Sequence, residues 1–213
     1  MNSKLPLILA SASPRRRQLL AKAGYKFKVV VPHIDESAFS PQHISPTGYA
    51  EKLALAKAKS VAPKFPAHLV IGADTVVDFK GRIIGKPADE QDAQRIIRKL
   101  FSSPHKVITA VALVRSADSI ELVESDTTTV YPKKLTDEQI TRHLKSRSWR
   151  NKAGAYAIKE NGDKFIEKIQ GSLTNVMGLP LELLQQMLEK LNKIVIIVPQ
   201  IVTDNFKENK NEH

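Results

Sequence analysis

Short apolar runs alternate along this chain with amphipathic segments whose apolar residues recur every third or fourth position. The run Leu-Val-Ile-Gly-Ala at residues 69–73 is of the first kind, and the segment around Ala93, Ile96, Ile97 and Leu100 is of the second. Short apolar runs are typical of strands, whereas the longer spacing is typical of helices. The alternation predicts an α/β fold, in which helices flank a sheet.

Capping signals mark where the helices begin. Ser13-Pro14 and Ser45-Pro46 each place a hydroxyl cap before a proline, and Thr136 with Gln139 forms a capping box. The predicted helices cover residues 14–23, 46–61, 89–100, 136–145 and 180–191.

The predicted strands are the apolar or β-branched runs between these helices. We expect residues 69–73 to form a buried strand that ends at Asp74, and Lys80-Gly81 to turn a hairpin. Residues 146–163 are polar and contain glycines, which predicts loops. The predicted strands cover residues 7–10, 26–31, 69–73, 76–79, 82–84, 106–115, 120–131, 165–169 and 194–198.

The length and composition are those of one folded domain. With 213 residues, of which 42% are hydrophobic, the chain can bury a core. We assign a single domain to residues 1–213, with its core at about residues 7–200 and a basic polar C-terminal tail. The chain has no cysteine, and its N-terminal apolar run is too short for a signal peptide or a membrane span. We therefore expect a cytoplasmic protein without a membrane partner.

The net charge of +11 raises the question of a nucleic-acid partner. Many lysines are interleaved with acidic residues, and the sequence has no C-x-x-C zinc module, aromatic RNA-stacking motif or long basic block. A nucleic-acid partner is thus the less favoured interpretation. A basic cleft for an anionic small molecule accounts for the charge equally well.

The N-terminal segment predicts a phosphate-binding cradle. An apolar strand runs into Ser11 and Ser13, and Pro14 then begins a helix that carries Arg15 and Arg16 in its first turn. Cations oppose the helix macrodipole at this position unless an anion joins them. We expect the two serines and two arginines to bind a polyphosphate, although an arginine cluster can also be ordinary solvated surface.

Two acidic positions and two lysines complete the candidate site. A carboxylate at the end of an apolar strand, as predicted for Asp74, lies where α/β folds place ligands. Glu36 of the pair Asp35-Glu36 could join Asp74 in holding a divalent cation, Mg²⁺ or Mn²⁺. Lys57 and Lys86 are candidate phosphate clamps. The alternative interpretation is a turn-capping aspartate and a solvated acidic pair.

Several common catalytic motifs are missing. The sequence contains no G-x-x-x-x-G-K-[ST], no G-x-G-x-x-G and no G-x-S-x-G element. Its six histidines show no metal-binding spacing. A zinc site or a serine nucleophile is therefore unsupported.

Five sequence blocks stand out, in this order along the chain: Leu9-Ala10-Ser11-Ala12-Ser13-Pro14-Arg15-Arg16, Gly72-Ala73-Asp74-Thr75-Val76-Val77, Gly85-Lys86-Pro87, Lys152-Ala153-Gly154-Ala155-Tyr156, and Gly171-Ser172 with Asn175-Val176-Met177-Gly178-Leu179-Pro180. Together they resemble the Maf family of nucleoside triphosphate pyrophosphatases. The resemblance extends from about residue 7 to residue 188, and five blocks in one order are far more specific than any one of them.

The resemblance implies a fold and a reaction. The fold would be a mixed twisted sheet flanked by helices, with two lobes around a deep cleft, similar to the inosine triphosphate pyrophosphatases and often found as a homodimer. The reaction would be metal-dependent hydrolysis between the α- and β-phosphates of a nucleoside triphosphate. By the same resemblance, the catalytic aspartate falls on Asp74 and the specificity positions fall on Arg16, Thr75 and Lys159.

The central block resembles one branch of the family. Ala73-Asp74-Thr75 is similar to the branch that acts on dTTP and UTP, whereas the branch that acts on 7-methyl-GTP carries Ser-Asp-Gln there. Lys159 departs from the glutamine usual in the first branch. Because a cation cannot accept a hydrogen bond as an amide does, the base preference could have shifted.

These observations lead to one hypothesis and its rivals. Arg15, Arg16, Lys57 and Lys86 would neutralise the triphosphate, while Asp74 activates water or holds the metal. The rivals are a pyrophosphatase for 7-methyl-GTP or other modified nucleotides and a catalytically silent, basic nucleic-acid-binding protein.

Overall fold

The computed structural model describes residues 5–150, 152–156 and 165–204. Within this part of the chain the strands form one seven-stranded sheet in the order β2-β1-β3-β5-β6-β7, with β4 paired to β3. Helices pack on both faces of the sheet, which confirms the predicted mixed α/β class.

One side of the sheet is parallel. Strand β1, Leu7–Ala10, pairs in parallel with β2, Phe27–Val30, and with β3, Leu69–Phe79. Residues 8–10 and most of β3 are buried, which agrees with their largely apolar sequences.

The other side is antiparallel. Strand β4, Arg82–Ile84, folds back on the end of β3 through the Lys80-Gly81 turn. The two long strands β5, His105–Arg115, and β6, Ile120–Pro132, pair with each other, and β5 also pairs with β3. Strand β7, Ile166–Gln170, closes this edge against β6.

Six α-helices occur among the described residues, and five of them begin at a side-chain cap. The capping oxygens of Ser13, Ser45, Asp89, Thr136 and Ser172 each accept a hydrogen bond from a first-turn backbone amide. In the described part of the chain, no helix combines the length and apolarity needed to cross a bilayer. The helices are α1, Pro14–Lys22; α2, Pro46–Lys59; α3, Glu90–Leu100; α4, Asp137–Lys145; α5, Leu173–Met177; and α6, Leu181–Asp204.

Buried apolar residues cover both faces of the sheet, and on one face they fall into two clusters. On one face, the alanines of α2 pack against Val70, Val76 and Ile108. On the other, Ile71 and Ala73 belong to a cluster with α1 and α6, whereas Val77 belongs to a second cluster with α3 and α4. The two clusters on this face are the two predicted lobes.

Two sequence predictions about strands are wrong. The strand that was expected to end at Asp74 continues to Phe79, so residues 69–73 and 76–79 are one strand. The strand predicted at residues 194–198 instead continues helix α6. A short apolar run fits a buried strand or a buried helix turn, and its periodicity does not separate the two.

The buried residue His105 generates a prediction about acid stability. The residue is 3% exposed, its Nε2 lies 2.5 Å from the Tyr156 hydroxyl, and burial lowers the pKa of its imidazole from 6.5 to about 4. The unfolded chain therefore gains a proton below about pH 6.5 while the folded chain stays neutral until about pH 4. Stability is complete above this window and falls as the pH drops through it, by about 3 kcal/mol at most.

Urea unfolding between pH 7 and pH 4.5 measures this loss. His105→Gln should flatten the decline in the free energy of unfolding, whereas the exposed His33→Gln should leave it unchanged. Equal pH dependence in the wild type and His105→Gln would contradict the prediction.

Candidate active site

A difference in strand length opens a cleft beside β3. Strand β1 ends at Ala10, opposite Gly72, while β3 runs on to Phe79. Strand β4 takes up the pairing only from Val77. Between these points, Asp74 and Thr75 border a cavity of about 1530 Å³. Asp74 therefore lies in the cleft because the neighbouring strand ends, and not because its own strand does.

Lys57 joins two carboxylates at one end of this cleft. Its Nζ lies 2.6 Å from Asp74 Oδ1 and 2.8 Å from Glu36 Oε1. The side chains of Lys57 and Asp74 are 10% and 12% exposed, whereas that of Glu36 is 44% exposed. Lys86 approaches the same cluster, with its Nζ 3.5 Å from Glu36 Oε2. We call these four residues the carboxylate end.

The charges at the carboxylate end affect Glu36. Partial burial acts to raise the pKa of the Glu36 carboxyl, but the hydrogen bonds and positive charges of Lys57 and Lys86 outweigh it, and the pKa is lowered. Glu36 is consequently held as an anion.

Gly72 allows Lys57 to reach Asp74. A β-carbon at Gly72 would overlap the backbone oxygen of Ala54 and lie 2.9 Å from the Ala58 side chain. Only glycine lets α2 approach β3 this closely. The close packing places Lys57, on α2, directly against Asp74.

The residues of the predicted cradle lie at the start of α1, where Ser13 caps the helix. The Ser13 hydroxyl accepts a hydrogen bond from the Arg16 backbone amide, and the Ser13 amide donates to the Ser11 hydroxyl at 3.1 Å. Burial lowers the pKa of Arg15, whose side chain lines the cleft beside this turn. Helix N-terminal amides and adjacent cations favour a bound anion.

Two hydrogen bonds fix Arg16 beside Thr75. Its Nε donates to the Gly178 carbonyl at 2.7 Å and its Nη2 donates to the Thr75 hydroxyl at 2.9 Å. Burial lowers the pKa of Arg16, and the negative charges of Asp74 and Glu36 act in the opposite direction. The guanidinium is thus fixed in orientation.

The wall around Thr75 is largely apolar. Val77, Val107, Met177 and the Tyr156 ring line the cleft there. We call these four residues the apolar end. Apolar walls with a few fixed polar groups are typical of sites for flat organic ligands.

The structure brings every described candidate residue to this one cleft. Lys159 lies outside the described residues. The candidates that line the cleft are Ser11, Ser13, Arg15, Arg16, Glu36, Lys57, Asp74, Thr75 and Lys86.

Nothing in the sequence indicates the buried polar residues that form hydrogen bonds with residues lining the cleft. Thr109 contacts Thr75 and the backbone of Asn175, and His105 contacts Tyr156. Thr109 and His105 lie in a long β-branched strand, where the residue pattern gives no signal of a polar contact.

The donor set is compatible with a divalent cation shared with a ligand. Among the described residues no three His, Cys, Asp or Glu side chains cluster as a metal site. Mg²⁺ commonly uses one or two carboxylates together with substrate phosphates. Glu36 and Asp74, joined through Lys57, meet that minimum.

Comparisons with known proteins point to one family. Residues 6–191 match the family model described as "Maf-like protein". The dTTP/UTP pyrophosphatase of Bdellovibrio bacteriovorus is 41% identical over 88% of this chain and 99% of its own length. That of Symbiobacterium thermophilum is 43% identical over 85% and 92%. A solved HAM1 protein from Coxiella burnetii aligns with a TM-score of 0.42 and 16% identity, over 62% of this chain and 75% of its own.

Gly72→Ala tests the close approach of α2. The added methyl group must push α2 from β3, so we expect the free energy of unfolding to fall by about 2–3 kcal/mol. Gly85→Ala is the matched control, because a β-carbon there meets no atom within 4 Å. Chemical denaturation of both variants measures the difference, and equal stability would show that the approach is not tight.

Proposed function

Because the chain belongs to the Maf-like protein family, we propose that it is a nucleoside triphosphate pyrophosphatase that hydrolyses dTTP and UTP. Relatives about 40% identical over most of the chain are named dTTP/UTP pyrophosphatases. The structural observation that carries the proposal is the contact of Lys57 with both Asp74 and Glu36, beside a helix N-terminus that carries arginine.

The triphosphate would occupy the space between the start of α1 and the carboxylate end. Arg15, Lys57 and Lys86 supply positive charge there, and the first-turn amides of α1 supply hydrogen-bond donors. Arg16 belongs to the same turn but is bonded to Thr75 and Gly178, so it would orient the nucleotide at the boundary between phosphates and base.

Asp74 is the proposed catalytic residue. Its carboxylate would orient a water molecule for attack on the α-phosphorus and accept the proton that the water loses. The new bond joins the water oxygen to the α-phosphorus, and the bond to the oxygen that bridges the α- and β-phosphates breaks. Pyrophosphate leaves with that electron pair, and the nucleoside monophosphate remains. Lys57 fixes Asp74 in place and offsets charge on the phosphates.

Glu36 and Asp74 would hold Mg²⁺ or Mn²⁺ together with phosphate oxygens. When bound, the cation neutralises charge that develops on the phosphates. The contact of both carboxylates with Lys57 supports this role, because it brings two oxygen donors to the same end of the cleft.

We further propose that the enzyme is cytoplasmic, which the absence of cysteine supports. The described part of the chain has no helix suited to span a membrane. A homodimer stays a prediction from the family resemblance, and a nucleic-acid partner stays the less favoured alternative.

Asp74→Asn tests the catalytic assignment. We expect kcat for pyrophosphate release from dTTP and UTP to fall at least about 100-fold, the scale of general-base effects. Asp137→Asn is the control, because Asp137 is exposed on α4 and pairs with Arg98 outside the cleft. CTP, GTP and 7-methyl-GTP belong in the same assay, because selective hydrolysis of one of these would contradict the proposed substrates. Absence of turnover with any nucleotide would favour a binding protein.

Glu36→Gln tests the cation site. Loss of one anionic oxygen should raise the Mn²⁺ concentration for half-maximal activity by about tenfold or more, and excess chelator should abolish wild-type turnover. Glu90 is exposed at the start of α3, so Glu90→Gln should change neither the Mn²⁺ concentration for half-maximal activity nor the effect of the chelator. Unchanged metal dependence in Glu36→Gln would exclude Glu36 as a ligand.

A further inference from the structure

The two ends of the cleft lie on opposite faces of β3. Successive side chains of a strand point to opposite faces, so Asp74 faces α2 and Lys57, while Thr75 faces away from them. Thr75 lies between the fixed guanidinium of Arg16 and the apolar end. If the carboxylate end receives phosphates, as the proposed function requires, then the apolar end is left for the nucleobase.

Three hydrogen bonds run in series from Arg16 through Thr75 and Thr109 to the backbone of Asn175. The Thr109 hydroxyl donates to the backbone oxygen of Asn175 at 2.9 Å, and the hydroxyl oxygens of Thr109 and Thr75 lie 3.0 Å apart. Arg16 Nη2 donates to the Thr75 hydroxyl oxygen at 2.9 Å. Thr109 is fully buried.

Counting protons fixes the direction of each bond. A hydroxyl carries one proton, and a carbonyl oxygen can only accept. Because Thr109 gives its proton to the Asn175 carbonyl, Thr75 must give its own proton to Thr109. The Thr75 oxygen then has two lone pairs, and one of them accepts the hydrogen bond from Arg16 Nη2. Toward the cleft, Thr75 is therefore an acceptor only.

We propose that Thr109 is a positioning residue that sets the base preference by holding Thr75 as an acceptor. The proposal rests on the proposed function and adds a rule of recognition to it. The base that fits has an N–H donor for Thr75 beside a carbonyl oxygen for the guanidinium of Arg16. Uracil and thymine share such an edge, the imide N3–H with a carbonyl on either side.

The same arrangement disfavours cytosine. In the pose that suits uracil, cytosine directs an unprotonated N3 at the Thr75 lone pair, and neither group can donate. An unpaired polar contact of this kind weakens binding, because both groups lose their hydrogen bonds to water. Without the Thr109 hydroxyl, the Thr75 hydroxyl loses its acceptor in the core. It can then rotate and donate its proton to N3 of cytosine.

Binding of non-hydrolysable nucleotides tests this rule independently of turnover. The probes are the α,β-methylene analogues of UTP and CTP, with Kd measured by titration calorimetry on the full chain. Wild type should prefer the UTP analogue. Thr109→Val should lower the ratio of the two affinities by about tenfold, the equivalent of about 1.4 kcal/mol, whereas Thr109→Ser should preserve the ratio.

Thr128→Val is the matched control for a structural effect. Thr128 is as buried as Thr109, and its hydroxyl contacts Asn175 Nδ2 and Ser172, but it does not touch Thr75. We expect it to lower the melting temperature and to keep the affinity ratio.

Three results would overturn the proposal. They are a wild type without preference, a Thr109→Val variant with an unchanged ratio, and a Thr109→Ser variant that loses the ratio as the valine variant does. Absence of pyrophosphate release by a wild type that still prefers the UTP analogue would refute the proposed function and leave the recognition rule standing.

Discussion

The length mismatch between β1 and β3 is the constraint on which the site depends. Strand β1 has four residues and β3 has eleven, so β3 continues beyond its parallel neighbour. The chain leaves β1 directly into the first turn of α1, which places helix amides beside the uncovered edge. The cleft at the end of this short strand is therefore bordered both by a helix N-terminus and by the middle of a longer strand.

The alternation of β3 then divides the cleft by chemistry. Asp74 faces the helix that carries Lys57, and Gly72 makes that helix approach close enough for direct contact. Thr75 faces the opposite way, toward Arg16 and the buried hydroxyl of Thr109. Two adjacent residues of one strand therefore have different surroundings, which is why we propose that Asp74 acts on the phosphates and Thr75 contacts the base.

Much of this could be predicted from local sequence signals. The Ser13-Pro14 cap, the Thr136 capping box and the two long β-branched strands are encoded within a few residues, and the structure confirms them. The sequence predicts that the strand ends at Asp74, because a polar residue interrupts the apolar run there, but Asp74 and Thr75 lie within β3. Their true setting depends on where β1 ends, about 60 residues earlier in sequence. Thr109 gave no local signal, since its role follows from long-range pairing.

The fate of solvent oxygen tests most directly whether water attacks the α-phosphorus. Hydrolysis of dTTP in water enriched in oxygen-18, followed by mass spectrometry of the products, identifies the phosphorus that is attacked. Attack of water at the α-phosphorus predicts one labelled oxygen in the nucleoside monophosphate and none in pyrophosphate. Label in pyrophosphate or in inorganic phosphate would contradict an attack at the α-phosphorus beside Asp74.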